Sequence, residues 1–370
     1  MLLIKNAKVY APEYVGKKDL LVCGGKIECM EDKIEDFPIA CEVIDAEERI
    51  LTPGFIDQHV HVTGGGGEGS FHTRTPELQL SELVKGGITT VVGLLGTDGL
   101  TRSVENLYAK VQALCEEGVS AYMLTGAYGY PSPTITGEVD RDIMFVEKVL
   151  GVKLAISDHR APNVTESELI QLASKTRTAG MLSGKPGIVV LHMGDADAGL
   201  SPIKIFRPTH VNRRKGLLEE GYQLLEKGGY IDLTCGISED FCPGGCILEA
   251  KEKGIPTEHI TISSDGHGSW SKYREDGSLL EIGVSSVDAL REELLYMVHE
   301  LDMKLEDALP YMTSHVAEAL GLQGKKGTIQ KGADADLLLW DNDLKLDSYI
   351  AGGKIFMQKE KIICKGTYEK

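Results

Sequence analysis

Between residues 54 and 264 the chain repeats one pattern eight times: a short apolar run, then a longer stretch with helical spacing. The apolar runs occupy 54–61, 89–95, 121–127, 149–156, 187–192, 205–209, 230–235 and 260–264. Near-continuous apolar strands alternating with helices signify a parallel sheet covered on both faces. Eight units spread over residues 52–324 match a (β/α)8 TIM-like barrel, an α/β fold whose active site lies where the strands end. A doubly wound open sheet gives the same alternation and stands as the alternative. The sixth unit is compressed. Between His192 and His210 there is room for about two turns of helix, near 198–203, and Pro202 interrupts them, whereas a crossover normally takes a dozen or more residues.

The two chain ends read differently. Residues 1–51 hold short alternating runs at 2–10, 19–23, 26–30 and 41–45, separated by turn signals such as Gly24-Gly25. Residues 325–370 repeat the style at 335–340, 348–350, 354–358 and 361–364. Strands from both ends are expected to pair into one small, discontinuous β-sandwich domain, 1–51 with 325–370, beside the catalytic barrel 52–324.

Bulk properties exclude several functions. A formal charge of −17 over 370 residues argues against nucleic acid, because phosphate binding needs a basic footprint. No apolar run approaches the length of a membrane span. The first nine residues alternate like a strand, without the small-residue cleavage site of a signal peptide. Eight scattered cysteines show no disulfide framework, which suits a reducing cytoplasm. Cys242 and Cys246, with Cys235 upstream, form the tightest group, but a structural zinc site normally takes four ligands and no second close pair exists.

The ends of the apolar runs carry the chemistry. The first finishes Gly54-Phe55-Ile56-Asp57-Gln58-His59-Val60-His61; side chains two apart on a strand share a face, so His59 and His61 can aim at one point. Thr63 and the loop Gly64-Gly65-Gly66-Gly67-Glu68 follow, with bare backbone that admits close approach. Tyr128 follows the third run, Lys153 sits inside the fourth, His192 ends the fifth, His210 the sixth, and Asp265 the eighth. Any one of these could be a satisfied core residue. In a barrel all six metal-binding candidates converge on one cavity, and packing alone does not call for four histidines, an aspartate and a lysine there. Lys153 has two readings. Burial depresses a lysine's pKa and frees the amine to take up carbon dioxide as a bridging carbamate; alternatively the side chain snorkels outward from a strand.

The stretches 53–61 and Gly327-Thr328-Ile329-Gln330-Lys331-Gly332-Ala333-Asp334-Ala335-Asp336-Leu337 resemble the amidohydrolase superfamily. More closely, the chain resembles bacterial isoaspartyl dipeptidases nearly end to end, through the glycine loop 64–68 and the stretches 92–98, 124–128, 156–160, 208–213 and 263–266. The resemblance implies a two-zinc site: His59, His61 and Asp265 on one ion, His192 and His210 on the other, carboxylated Lys153 bridging. It further implies a metal-bridging hydroxide as nucleophile, Asp265 as proton shuttle, and Tyr128 polarising the scissile carbonyl. A β-aspartyl dipeptide carries one ammonium and two carboxylates. Glu68 has the right sign for the ammonium, Arg160 and Arg213 suit the carboxylates, and Ser269, Thr97 and the Gly66 backbone supply hydrogen bonds. Solvated or internally paired charges are the plain alternative for Glu68 and both arginines, with Asp158 or Glu219 as the arginines' partners. The expected partner is thus a small dipeptide bound by a homo-oligomer. A cyclic amide hydrolase of the dihydroorotase or hydantoinase kind is the competing enzyme; a barrel that has lost its metals is the non-enzymatic reading.

Overall fold

A computed structural model describes residues 1–35, 40–158, 160–161, 164–194, 206–237, 240–273 and 279–370. Each of the eight apolar runs forms a strand: Phe55–Val60, Ile88–Gly93, Ser120–Gly126, Val149–Ile156, Ile188–Met193, Phe206–Thr209, Ile231–Thr234 and Ile260–Ser263. The first six pair in chain order as one parallel sheet, and the last two form a parallel pair. Both seams between these pieces are bonded. At one, Thr209 Oγ1 donates to Asp232 Oδ2 at 2.8 Å. At the other, the His61 amide donates to the Gly266 carbonyl at 2.9 Å, and Gln58 Nε2 reaches Asp232 Oδ1 at 2.8 Å. The outermost strands of an open sheet do not meet; here the first strand adjoins the eighth, so the sheet curls as a TIM-type barrel and the open alternative falls. The helical turns expected near 198–203 lie outside the described residues.

Local signals set the helices that wrap this sheet. Helix Val104–Glu117 starts at Ser103, whose hydroxyl accepts from the Asn106 amide, satisfying a donor left over at a helix start. It buries Val104, Leu107, Val111 and Leu114, the three-and-four spacing of one helical face. Helix Glu166–Ser183 opens with a reciprocal capping box between Thr165 and Glu168.

The chain ends form a nine-stranded sheet. Leu2–Tyr10, Tyr14–Cys23 and Lys26–Glu31 run antiparallel, and Leu2–Tyr10 also pairs in parallel with Glu42–Asp45 and Ile50–Pro53. Ile50–Pro53 then pairs with Leu337–Trp340, followed by Leu346–Ala351, Lys354–Gln358 and Lys361–Ile362. One face closes over its own core of Leu2, Ile4, Leu20, Ile27 and Leu339. The other presents Trp340, Tyr349 and Phe356, all fully buried, to barrel residues including Phe55; each such burial contributes about 1.5–3 kcal/mol. Only Gly54 separates this sheet from the first barrel strand. A Cβ there would sit 2.1 Å from Thr89 Oγ1, so the close approach demands glycine. Buried Lys326 fastens the two parts, donating to Ser120 Oγ at 2.6 Å and pairing with Asp336 and Asp334.

Candidate metal centre

Side chains from several strand ends lie close together. His59 lies in the first barrel strand and His61 just past it, with ring centroids 5.8 Å apart. His210 follows the sixth strand, its ring 5.0 Å from His59 and 4.7 Å from His192. Asp265 follows the eighth; its Oδ1 lies 3.3 Å from His61 Nε2 and 3.5 Å from His59 Nε2. Lys153 Nζ reaches His59 Nε2 at 3.2 Å. The donor atoms of His59, His210 and Asp265 all lie within 4.8 Å of one another, a group that draws members from both expected sets. His210 and Asp265 hold left-handed backbone, φ 60° and 54°. Such conformations cost of order 1–3 kcal/mol each and persist where surroundings over-determine them, often at functional sites.

Burial sets the charge states. Lys153 has no exposed surface, and desolvation brings its amine down to about 7. His59 is held well below its ordinary value by burial, then by Lys153; His210 likewise by burial, then by His192. Burial lowers His192 to about 3 although Asp158 pulls the other way. These imidazoles are therefore neutral at pH 7, the form that ligates a cation. His61 Nδ1 and Asp265 Oδ1 are buried without a hydrogen-bond partner. Buried polar atoms are rarely left so. Neutral nitrogens, a carboxylate and orphaned polar atoms around one point fit a divalent cation.

Sequence reading missed the layer beneath. Asp57, fully buried, accepts from Ser264 Oγ and, at 3.2 Å, from the His59 amide; burial raises it to about 7. Asp232 accepts from Thr209, Gln58, Thr261 and Ser263. Asp57 belongs to the same apolar run as the histidines and was visible there as a polar interruption. Asp232 was signalled only by its place within a buried strand.

Tyr128 is buried, with Oη 2.8 Å from His192 Nδ1; burial pushes its phenol up. His192 Nε2 also lies 3.0 Å from Asp158 Oδ2. Burial opposes ionisation of Asp158, yet hydrogen bonds from Arg160 and His192 hold its carboxyl well below the usual range. Arg160 pairs with Asp158 at 2.7 Å, the partner expected of an internal pair, and with Glu68 at 3.3 Å. Glu68 further accepts from Thr97 Oγ1 at 3.0 Å and Ser269 Oγ at 3.1 Å. Gly66 has φ 72°, and a Cβ there would sit 2.5 Å from the Thr73 carbonyl. Arg213 ends the short turn after His210, near enough for its charge to help lower His192 and His210. A cavity of about 300 Å³ lies beside Glu68, lined also by Ser269, His72, Arg74, Ile282 and Val284. A larger one of about 440 Å³, between helices Val139–Phe145 and Glu166–Ser183, contains none of these residues. Cys235, Cys242 and Cys246, free like the other five cysteines, form no metal-ligating group among the described residues.

The model of the amidohydrolase family matches residues 246–367. The chain belongs to the amidohydrolase family and is a hydrolase. It is similar over nearly its whole length to a β-aspartyl dipeptidase from the thermophilic, keratin-degrading Fervidobacterium islandicum AW-1. That crystal structure, in complex with β-Asp-Leu dipeptide, superposes with a TM-score of 0.93 at 40% identity, covering 98% of this chain and 97% of that one. A dihydroorotase of Elusimicrobium minutum (strain Pei191) is also 40% identical, with 92% of this chain and 88% of its own covered. A D-hydantoinase from Thermus sp., at 17% identity and a TM-score of 0.73 over 100% of this chain and 98% of that one, shares the fold.

Proposed function

We propose that this chain is a metal-dependent dipeptidase that hydrolyses the β-linked bond of isoaspartyl dipeptides. The observation that carries this reading is Glu68, held by Thr97, Ser269 and Arg160 at the mouth of the histidine cluster. His59, His61 and Asp265 would hold one zinc ion and His192 and His210 a second, with Lys153, carboxylated, between them. Two bound zinc ions supply an activated water and Lewis acidity toward the scissile carbonyl.

The chain's own groups do the rest. Asp265 accepts the proton of the attacking water and delivers it to the leaving amine. Tyr128 keeps its proton at working pH because burial raises its phenol, so its hydroxyl can donate to the developing oxyanion. A β-aspartyl dipeptide presents its ammonium to Glu68, whose present partner is Arg160. The ammonium takes over that carboxylate and releases the guanidinium to grip a substrate carboxylate, with Arg213 taking the other. Thr97, Ser269 and the Gly66 backbone complete the hydrogen bonding.

Purified enzyme should cleave β-Asp-Leu and leave α-Asp-Leu intact, with two zinc ions per chain by elemental analysis. Equal or absent turnover of both by the zinc-loaded protein overturns the assignment. The dihydroorotase likeness favours a second reading, a cyclic amide hydrolase. A ring substrate lacks the free ammonium, so activity on dihydroorotate that survives Glu68→Gln would select that reading.

Three further properties belong to this proposal. The terminal segments 1–51 and 325–370 form a second, discontinuous β-domain packed on the barrel 52–324, testable by limited proteolysis. Exposed Phe145, Met181 and Leu182 support a homo-oligomer, testable by sedimentation. Eight free cysteines suit a reducing cytoplasm. Among the described residues no helix is long and apolar enough to cross a membrane.

A further inference from the structure

We propose that Arg102 is a positioning residue for substrate-ammonium recognition: its guanidinium locks the loop that carries Glu68 to the loop that carries Thr97. The inference rests on the dipeptidase reading and deepens it.

Arg102 belongs to the loop after the second barrel strand yet is only 7% exposed. Its Nη1 donates to the Thr63 carbonyl, and its Nη2 to the carbonyls of Gly65 at 3.1 Å and Thr75 at 3.0 Å. No carboxylate lies within 4 Å of it among the described residues. Only neutral carbonyls stand within hydrogen-bond reach of this largely desolvated guanidinium, and Asp98 and Glu77 act on it from farther off, so its direct bonds are spent on holding backbone.

The three carbonyls bracket the turn that presents Glu68. The Gly65 amide donates to Thr75 Oγ1 at 2.6 Å, and the Thr75 amide returns to the Gly65 carbonyl at 3.0 Å. Thr75 Oγ1 donates to the His267 carbonyl at 2.8 Å, two residues past Asp265. Gly64, at φ 77°, leaves the opening; a Cβ there would meet the Thr75 carbonyl at 2.3 Å and Arg102 Nη2 at 3.1 Å. Arg102's own loop includes Thr97, whose hydroxyl donates to Glu68. One planar fork therefore fixes the spacing of two loops whose side chains meet at the ammonium site. Lysine, a point charge on a flexible stem, does not reproduce that fork.

The test compares wild type, R102K, T75V, E68Q and R102K/E68Q on β-Asp-Leu and on N-acetyl-β-Asp-Leu, with zinc content and thermal unfolding recorded. R102K should raise KM for β-Asp-Leu about 10-fold to 100-fold, with kcat within about threefold and zinc unchanged. The preference for the free amine should fall by the same factor. T75V, which frees the Gly65 amide without touching the guanidinium, should shift that preference the same way. In the E68Q background R102K should change it less than about twofold, because the group it positions is already neutral. An unchanged preference in R102K and T75V, an equal loss with and without Glu68, or loss of zinc in both variants overturns the inference. Wild-type failure on β-Asp-Leu overturns the dipeptidase reading itself, and this inference with it.

Discussion

Lys153 gives the sharpest quantitative test of the buried centre. Its amine falls from an ordinary 10.5 to about 7 in the folded protein because burial removes its water. Between those two values the unfolded chain binds a proton that the native site rejects. Stability contributed by this residue must therefore rise with pH across that window, by up to about 1.4 kcal/mol per pH unit. Below pH 7 both states are protonated and the penalty is at its full size, about 5 kcal/mol. Above 10.5 it is gone. The perturbation is Lys153→Met, which keeps the volume and removes the charge. The assay is urea unfolding of chelated wild type and variant in carbon-dioxide-free buffer from pH 6 to 9. K153M should be the more stable at pH 6, and its advantage should shrink by roughly 2–3 kcal/mol by pH 9. Added bicarbonate at pH 8 should stabilise the wild type alone, since only a neutral amine can form the carbamate and a group bound only by the native state stabilises it. Stability curves that stay parallel within about 0.5 kcal/mol would mean that Lys153 is not held neutral, and the bridging role would lose its physical basis.

Glu68→Gln should lower kcat/KM for β-Asp-Leu by about 10-fold to 150-fold, the equivalent of losing one charge-assisted hydrogen bond of about 1.5–3 kcal/mol; steady-state kinetics checks it, and a change under threefold refutes it. Tyr128→Phe removes the buried hydroxyl beside His192 and should cut kcat about 10²-fold to 10³-fold with KM little moved, if Oη serves the oxyanion. Since burial raises that phenol, the wild-type pH–kcat profile should show no fall from Tyr128 below pH 10. Lys326→Met strands Asp336, 5% exposed, beside Asp334, and should cost about 3–5 kcal/mol in chemical unfolding, with activity at 25 °C retained.

What could be read from the sequence follows from how each feature is encoded. The barrel was legible because eight buried strands must each be apolar throughout, a demand that local composition records directly. Metal-ligand candidates stood out because His192, His210 and Lys153 interrupt or end such runs, where a polar side chain needs a reason. Pairing between the two termini was legible in style but not in register: nothing local says that Ile50–Pro53 bonds to both Leu2–Tyr10 and Leu337–Trp340. Arg102 was invisible for a related reason. Its acceptors are backbone carbonyls of Thr63, Gly65 and Thr75, and a carbonyl has no residue identity to read. Asp158 was named only as a possible partner for an arginine; its contact with His192 depends on how the fourth and fifth strands sit side by side.

On the dipeptidase proposal, that contact would tie recognition to the histidine cluster. Asp158 is shared between Arg160 at 2.7 Å and His192 at 3.0 Å, so the arginine would stay aimed if a substrate ammonium displaced it from Glu68. Without the shared carboxylate, a guanidinium displaced from Glu68 would swing into solvent, and its side-chain entropy would oppose regrasping the substrate. With it, exchange of the Glu68 partner needs only a small movement at one end of a pair whose other end is fixed. The same hydrogen bond orients the His192 ring, and were His192 a metal ligand it would also raise its basicity. On the dipeptidase proposal, moving the guanidinium from Glu68 to a substrate carboxylate would be one motion about Asp158.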